Sequence, residues 1–176
     1  MKPTERLRLS LLLVVLSHVI FPRIARGQTE IARSAIAPSG STVLGASSPK
    51  GRVNIVINTA KLDSTCAGSS PVGWMIREYK LKELVIISDL RVSIDGKPIV
   101  VPPSVYALLS NPVEATLQFE KGGFILRIDG GDASLSYFER AYFDGQGVSR
   151  LMSYSSLIPD KPSVDTHFYR NVLEDK

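Results

Sequence analysis

Ala115-Thr116-Leu117-Gln118-Phe119-Glu120 alternates apolar and polar residues, turns through Lys121-Gly122-Gly123, and resumes its apolar face at Phe124, Leu126 and Ile128. Strict alternation is the period of a strand with one buried face, and the Gly pair supplies the turn. The stretch predicts a β-hairpin. Downstream the same rhythm continues. Asp129-Gly130-Gly131-Asp132 reads as a turn, residues 135–143 as a strand, Asp144-Gly145-Gln146-Gly147 as a turn and 148–154 as a strand. Pro159-Asp160-Lys161-Pro162 interrupts, and 166–173 reads as a last strand.

Upstream, Pro102-Pro103 stops a strand over 99–101, which is joined to Val92 and Ile94 by the hairpin dipeptide Asp95-Gly96. Residues 84–95 read as a strand with a bulge or break at Ser88-Asp89, and 52–58 alternate with Val53, Ile55 and Ile57 on one face. Residues 74–84 fit either a helix or a strand. Residues 104–110 predict one or two helical turns, ended by Asn111-Pro112. About eight strands at roughly ten-residue spacing predict an all-β fold, an antiparallel β-sandwich or small barrel with at most one short helix near 104–110.

The chain of 176 residues is 44% apolar and 22% charged, which suits one globular domain. Residues 1–27 read as a signal peptide. Lys2, Arg6 and Arg8 precede an apolar run over 9–21, and Ala25-Arg26-Gly27 suits cleavage before Gln28. Residues 28–51, rich in Ala, Ser, Gly and Pro, read as a flexible linker, which leaves 52–176 as the β domain. The run over 9–21 is short for a bilayer span, and no later segment is long and apolar enough, so no integral membrane segment is expected after signal removal. An exported chain without an N-glycosylation sequon among its Asn residues suits a periplasmic or extracellular setting, in a bacterium rather than a eukaryote.

The net charge of +4 is local. Five of the 21 Lys and Arg lie in residues 1–27 against one of the 17 acids, so the remainder carries 16 of each. That balance gives no electrostatic footprint for nucleic acid. The single cysteine, Cys66, cannot form an internal disulfide, so it is packed and inert or joins a Cys66-linked dimer.

Catalytic patterns are sparse. His167 is the one histidine beyond residue 27, and with Cys66 it lacks the spacing of zinc ligands; no Gly-X-Ser-X-Gly elbow is present. The Asp129–Asp132 turn has hairpin composition rather than that of a calcium loop. No metal or cofactor is expected. Glu139 interrupts the apolar set Leu135, Tyr137, Ala141 and Phe143, as a raised-pKa acid would, or as an acid paired with Arg127 or Arg150 across strands.

Aromatic residues concentrate late in the chain, and 134–143 carries them on both faces. Tyr137 and Phe143 are expected inward with Leu135, leaving Phe138 and Tyr142 outward beside Arg140. Phe138, Tyr142, Tyr154 and Tyr169 then form a candidate platform for a sugar or a protein. The sequence therefore predicts an exported, non-enzymatic β domain that binds a protein or glycan partner or serves the envelope. The alternatives are a small secreted carboxylate-dependent hydrolase using Glu139, and a hydrophobic-ligand carrier, which needs a barrel with an apolar cavity.

Overall fold

The computed structural model describes residues 31–49, 51–66, 68 and 70–169. The signal-peptide reading lies outside the described residues, as does the end of the strand expected over 166–173. Ten strands form two antiparallel sheets. They are β1 (Ile31–Ala35), β2 (Gly40–Ser48), β3 (Gly51–Asp63), β4 (Glu83–Ile94), β5 (Lys97–Ile99), β6 (Pro112–Glu120), β7 (Gly123–Gly130), β8 (Tyr137–Asp144), β9 (Gly147–Ser155) and β10 (Val164–His167). The larger sheet has the order β1-β6-β7-β8-β9-β10 and the smaller one β2-β3-β4-β5. Neither sheet closes on itself. The fold is a sandwich rather than a barrel.

Eight of these strands overlap the expected ones, although β5 meets the strand expected over 99–101 only at Ile99 and β10 meets the last only at residues 166–167; β1 and β2 are additional, and they correct the reading of 28–51 as a flexible linker. The alternation there is hard to read because its polarity is partly reversed. Thr42 is buried with Leu44 and Ala46, while Val43 is 59% exposed. Inward Thr42 and Thr59 find partners in the turn between β1 and β2: Thr42 Oγ1 accepts from Ala37 N at 2.9 Å, and Thr59 Oγ1 donates to Ala37 O at 2.7 Å. A buried hydroxyl with its bonds made carries little penalty.

The two sheets meet on their apolar faces. Val53, Ile55 and Ile57 of β3 and Ile87, Leu90 and Val92 of β4 share one core cluster with Leu117, Phe124, Leu126 and Phe143 from the larger sheet. The rings of Phe124 and Phe143 stack at 4.7 Å between centroids. The expected irregularity at Ser88-Asp89 is a bulge: Asn58 pairs with Asp89 and Thr59 with Ile87, so Ser88 is the extra residue that keeps both halves of β4 facing inward. The one α-helix among the described residues, α1 (Trp74–Glu78), seats Ile76 on Leu62, Val72 and Leu84 beneath the β3–β4 excursion. The turns expected over 104–110 are reduced to a 3-10 turn, Pro103–Val105, that buries Val105.

One corner ties the sheets together. Asn111 N donates to Val85 O at 2.7 Å, and Val85 N donates back to Asn111 Oδ1 at 3.0 Å, so a side chain completes what a strand neighbour would supply to β4. Asn111 O accepts from Gly131 N on the other side, at 3.0 Å. The residue holds φ at 47°, a conformation Asn tolerates better than most. Gly130 lies beside it, where a Cβ would sit 2.5 Å from the Tyr137 hydroxyl. Asn111→Ala is expected to cost roughly 2–3 kcal/mol, since it strands the Val85 N–H and strains the backbone. Asn111→Gly should cost about 1 kcal/mol less, because it removes only the side-chain bond. Urea midpoints of the two variants check the order.

Candidate functional site: the outer face of the six-stranded sheet

Strand β8 divides its side chains as its alternation dictates. Tyr137, Glu139, Ala141 and Phe143 point between the sheets, and Phe138, Arg140 and Tyr142 point outward. On β9 the outward residues are Arg150, Met152 and Tyr154, and on β7 they are Ile125, Arg127 and Asp129.

Register lines these residues up in transverse rows. Arg33, Thr116, Arg127, Arg140, Met152 and Asp165 lie opposite one another across the six strands. The adjacent row runs Ala35, Glu114, Asp129, Phe138 and Tyr154. Arg33 pairs with Glu114 at 3.3 Å, and Arg127 grips Asp129 through two bonds of 2.8 and 2.5 Å. Arg150 does the same with Asp165, at 2.8 and 2.6 Å.

The aromatic residues of this face are not an open platform. Phe138 and Tyr154 stack at 4.5 Å, yet they are only 6% and 7% exposed. Arginines cover them. The Arg127 guanidinium lies 4.2 Å from the Phe138 ring centre, and that of Arg140 lies 5.3 Å from both rings. Tyr142 is half-buried, with Arg150 5.9 Å from its ring. Tyr169, beyond β10, is 91% exposed and shares no ring contact with the other three among the described residues. Three of the four platform residues are thus brought together, and Tyr169 is not.

Beside the stack, Arg33, Glu114, Thr116, Arg127, Arg140 and Tyr142 line part of an open depression of about 410 Å³. Sequence reasoning placed Arg140 on this face but missed that Arg127 and Arg140 cover the rings. The traces were there: Arg140 stands midway between Phe138 and Tyr142 on one strand, and Arg127 two residues from Asp129.

Glu139 lies on the other side of the sheet. It is 8% exposed, and its partner is Ser153, whose hydroxyl donates to Oε2 at 2.6 Å. The expected alternative of a pair with Arg127 or Arg150 is corrected by geometry, because both arginines point outward to their own acids. Burial pushes the Glu139 carboxyl up to about 7, against the lowering effect of Ser153. Among the described residues, these two influences account for the shift. Nearby Tyr137 is also held above its ordinary value, by burial first and then by the charge of Glu139; its hydroxyl donates to Ser110 O at 3.0 Å. Cys66 is exposed on the loop after β3, where a second chain can reach it, rather than packed. No cluster of three or more candidate metal ligands occurs among the described residues.

No protein-family model, curated protein or solved structure matches the chain at a significant level.

The buried acid has a measurable signature. The fold binds a proton that the unfolded chain releases between pH 4.5, the ordinary value, and about 7. Stability should therefore fall as pH rises through that window, and level off above it. Glu139→Gln keeps an acceptor for Ser153 and removes the ionisation. At pH 8 it is expected to be more stable than the wild type by roughly 2–3 kcal/mol, with a flatter profile between pH 5 and 8. Thermal or urea denaturation across that range checks it.

Proposed function

We propose that the protein is an exported, non-enzymatic binding module that presents the outer face of its six-stranded sheet to a protein or glycan partner. The observation that carries the reading is Arg140. Among the described residues it makes no hydrogen bond or ion pair, while Arg33, Arg127 and Arg150 each have an acid. It stands at the edge of the depression, fixed over two rings. A cation held in place without a counter-charge favours an outside partner. Export is supported by the sequence of residues 1–27.

The hydrolase reading has less behind it. Glu139 faces Leu90, Val105, Leu126 and Ile128 in the gap between the sheets, where no water-sized space remains, and a hydrolytic acid needs water within reach. The carrier reading needs a closed barrel, and these sheets stay open.

The test is a glycan array together with a pull-down of envelope proteins, run with chain 28–176 and with Tyr142→Ala. The wild type should capture a defined partner, and Tyr142→Ala should weaken capture at least about tenfold. That variant should keep stability within about 1 kcal/mol, whereas Tyr137→Ala should lose roughly 3–5 kcal/mol by emptying core volume. Capture unchanged by Tyr142→Ala would move the partner off this face. Export is tested separately: mass spectrometry of protein recovered from its host should find Gln28 at the amino terminus, and retention of residues 1–27 in most molecules would reject it.

A further inference from the structure

The outer face sorts its charges by row, and one position breaks the pattern. Each acid of the Glu114–Asp129 row neutralises one arginine of the next row, Arg33 or Arg127. On β8 the place of a third acid is taken by Phe138, which pairs in register with Asp129. Arg140 therefore rests over the Phe138 and Tyr154 rings and has no acid among the described residues. A guanidinium held over rings keeps its in-plane N–H donors for an acceptor, and their fork matches a carboxylate.

The charge of the depression limits what fits. Of the three arginines in its lining, Arg33 is paired with Glu114 and Arg127 with Asp129, which leaves Arg140, among the described residues, as the lining cation without an acid and Glu120 as the remaining acid. One unpaired cation suits one negative charge. A phosphate dianion would bring more charge than Arg140 can balance, and would bring it close to three acids.

The rest of the lining is polar. Thr116 offers a hydroxyl, Gln118 an amide and Tyr142 a half-buried ring, while Ile125, the one aliphatic side chain, is buried. A peptide finds no apolar recess for its side chains here, and no free strand edge crosses the middle of the sheet. A sugar ring has an apolar C–H face for the tyrosine and hydroxyls for the polar groups. We infer that the depression binds a uronic-acid unit of an acidic polysaccharide, with its carboxylate on Arg140 and its hydroxyls on Thr116 and Gln118. The inference rests on the proposal that this face is the binding surface, and it names the ligand's class.

The probe is tri-galacturonate, titrated calorimetrically into chain 28–176 beside its methyl ester and a tetra-glutamate peptide. The acid form should bind, and the ester should bind at least about tenfold more weakly, because a charge-assisted bond is lost. Arg140→Gln should match the ester's loss, and Arg140→Lys should recover part of the affinity without the bidentate fork. Arg91→Gln, on the smaller sheet and paired with Asp89 at 2.9 Å, should change nothing. Equal binding of acid and ester, or affinity indifferent to Arg140→Gln, would overturn the inference. So would tetra-glutamate binding at this face in place of the saccharide, though the binding surface itself would stand. If no probe binds, the inference fails, and the array and pull-down decide separately whether the surface survives. Should Arg140→Gln not fold, the ester comparison and Arg140→Lys still decide.

Discussion

Two open sheets with no disulfide between them hold together only if their inner faces exclude water completely. Every strand must therefore place its apolar side chains at alternate positions, and in register with its neighbours. A slip by one residue would exchange the faces. The bulge at Ser88 is a consequence, since the long β4 strand needs one extra residue to keep Ile87 and Leu90 both inward. So is the Asn111 corner, where a backbone N–H and a side-chain oxygen of one residue supply the bonds that β4 lacks as the chain passes back to the larger sheet. The outer face is what remains once that condition is met. Its arginines, acids and rings were free to be arranged by their own attractions.

The inner face also explains the one buried acid. Glu139 occupies an alternation position that packing assigns to the core, and Ser153, its direct cross-strand partner, supplies the hydrogen bond. A carboxyl in that setting is held most easily with its proton on, because ionisation has no counter-charge to offset lost hydration. Its proton affinity is set by burial, which raises it, against the Ser153 bond, which lowers it.

Most of the strand pattern was legible because the longer strands from β3 onward alternate and are punctuated by Gly, Asp and Pro. The first two were not. In Gly40–Ser48 small residues blur the contrast, and a buried Thr42 beside an exposed Val43 reverses the expected polarity. The loop holding Trp74–Glu78 fitted two periods, and tertiary packing of Ile76 decided between them. At the candidate site, the sequence separated the faces of β8 but could not show what covers the outward rings. Whether an arginine stacks on Phe138 or reaches Glu139 depends on which side of the sheet it leaves. Arg127 lies on a neighbouring strand, and only register settles that.

The place of β1 has a consequence in time. Its partners lie far along the chain: Ser34 pairs with Ala115 and Arg33 with Thr116, while β2 to β5 form a meander of near neighbours. Closing a long loop is entropically costly and slows folding. The smaller sheet can therefore assemble from contiguous sequence, whereas the larger one cannot be completed until β6 has been made and has met the first strand. A chain built this way carries its first strand unpaired through much of its synthesis, and the larger sheet is the last part to gain its full set of neighbours.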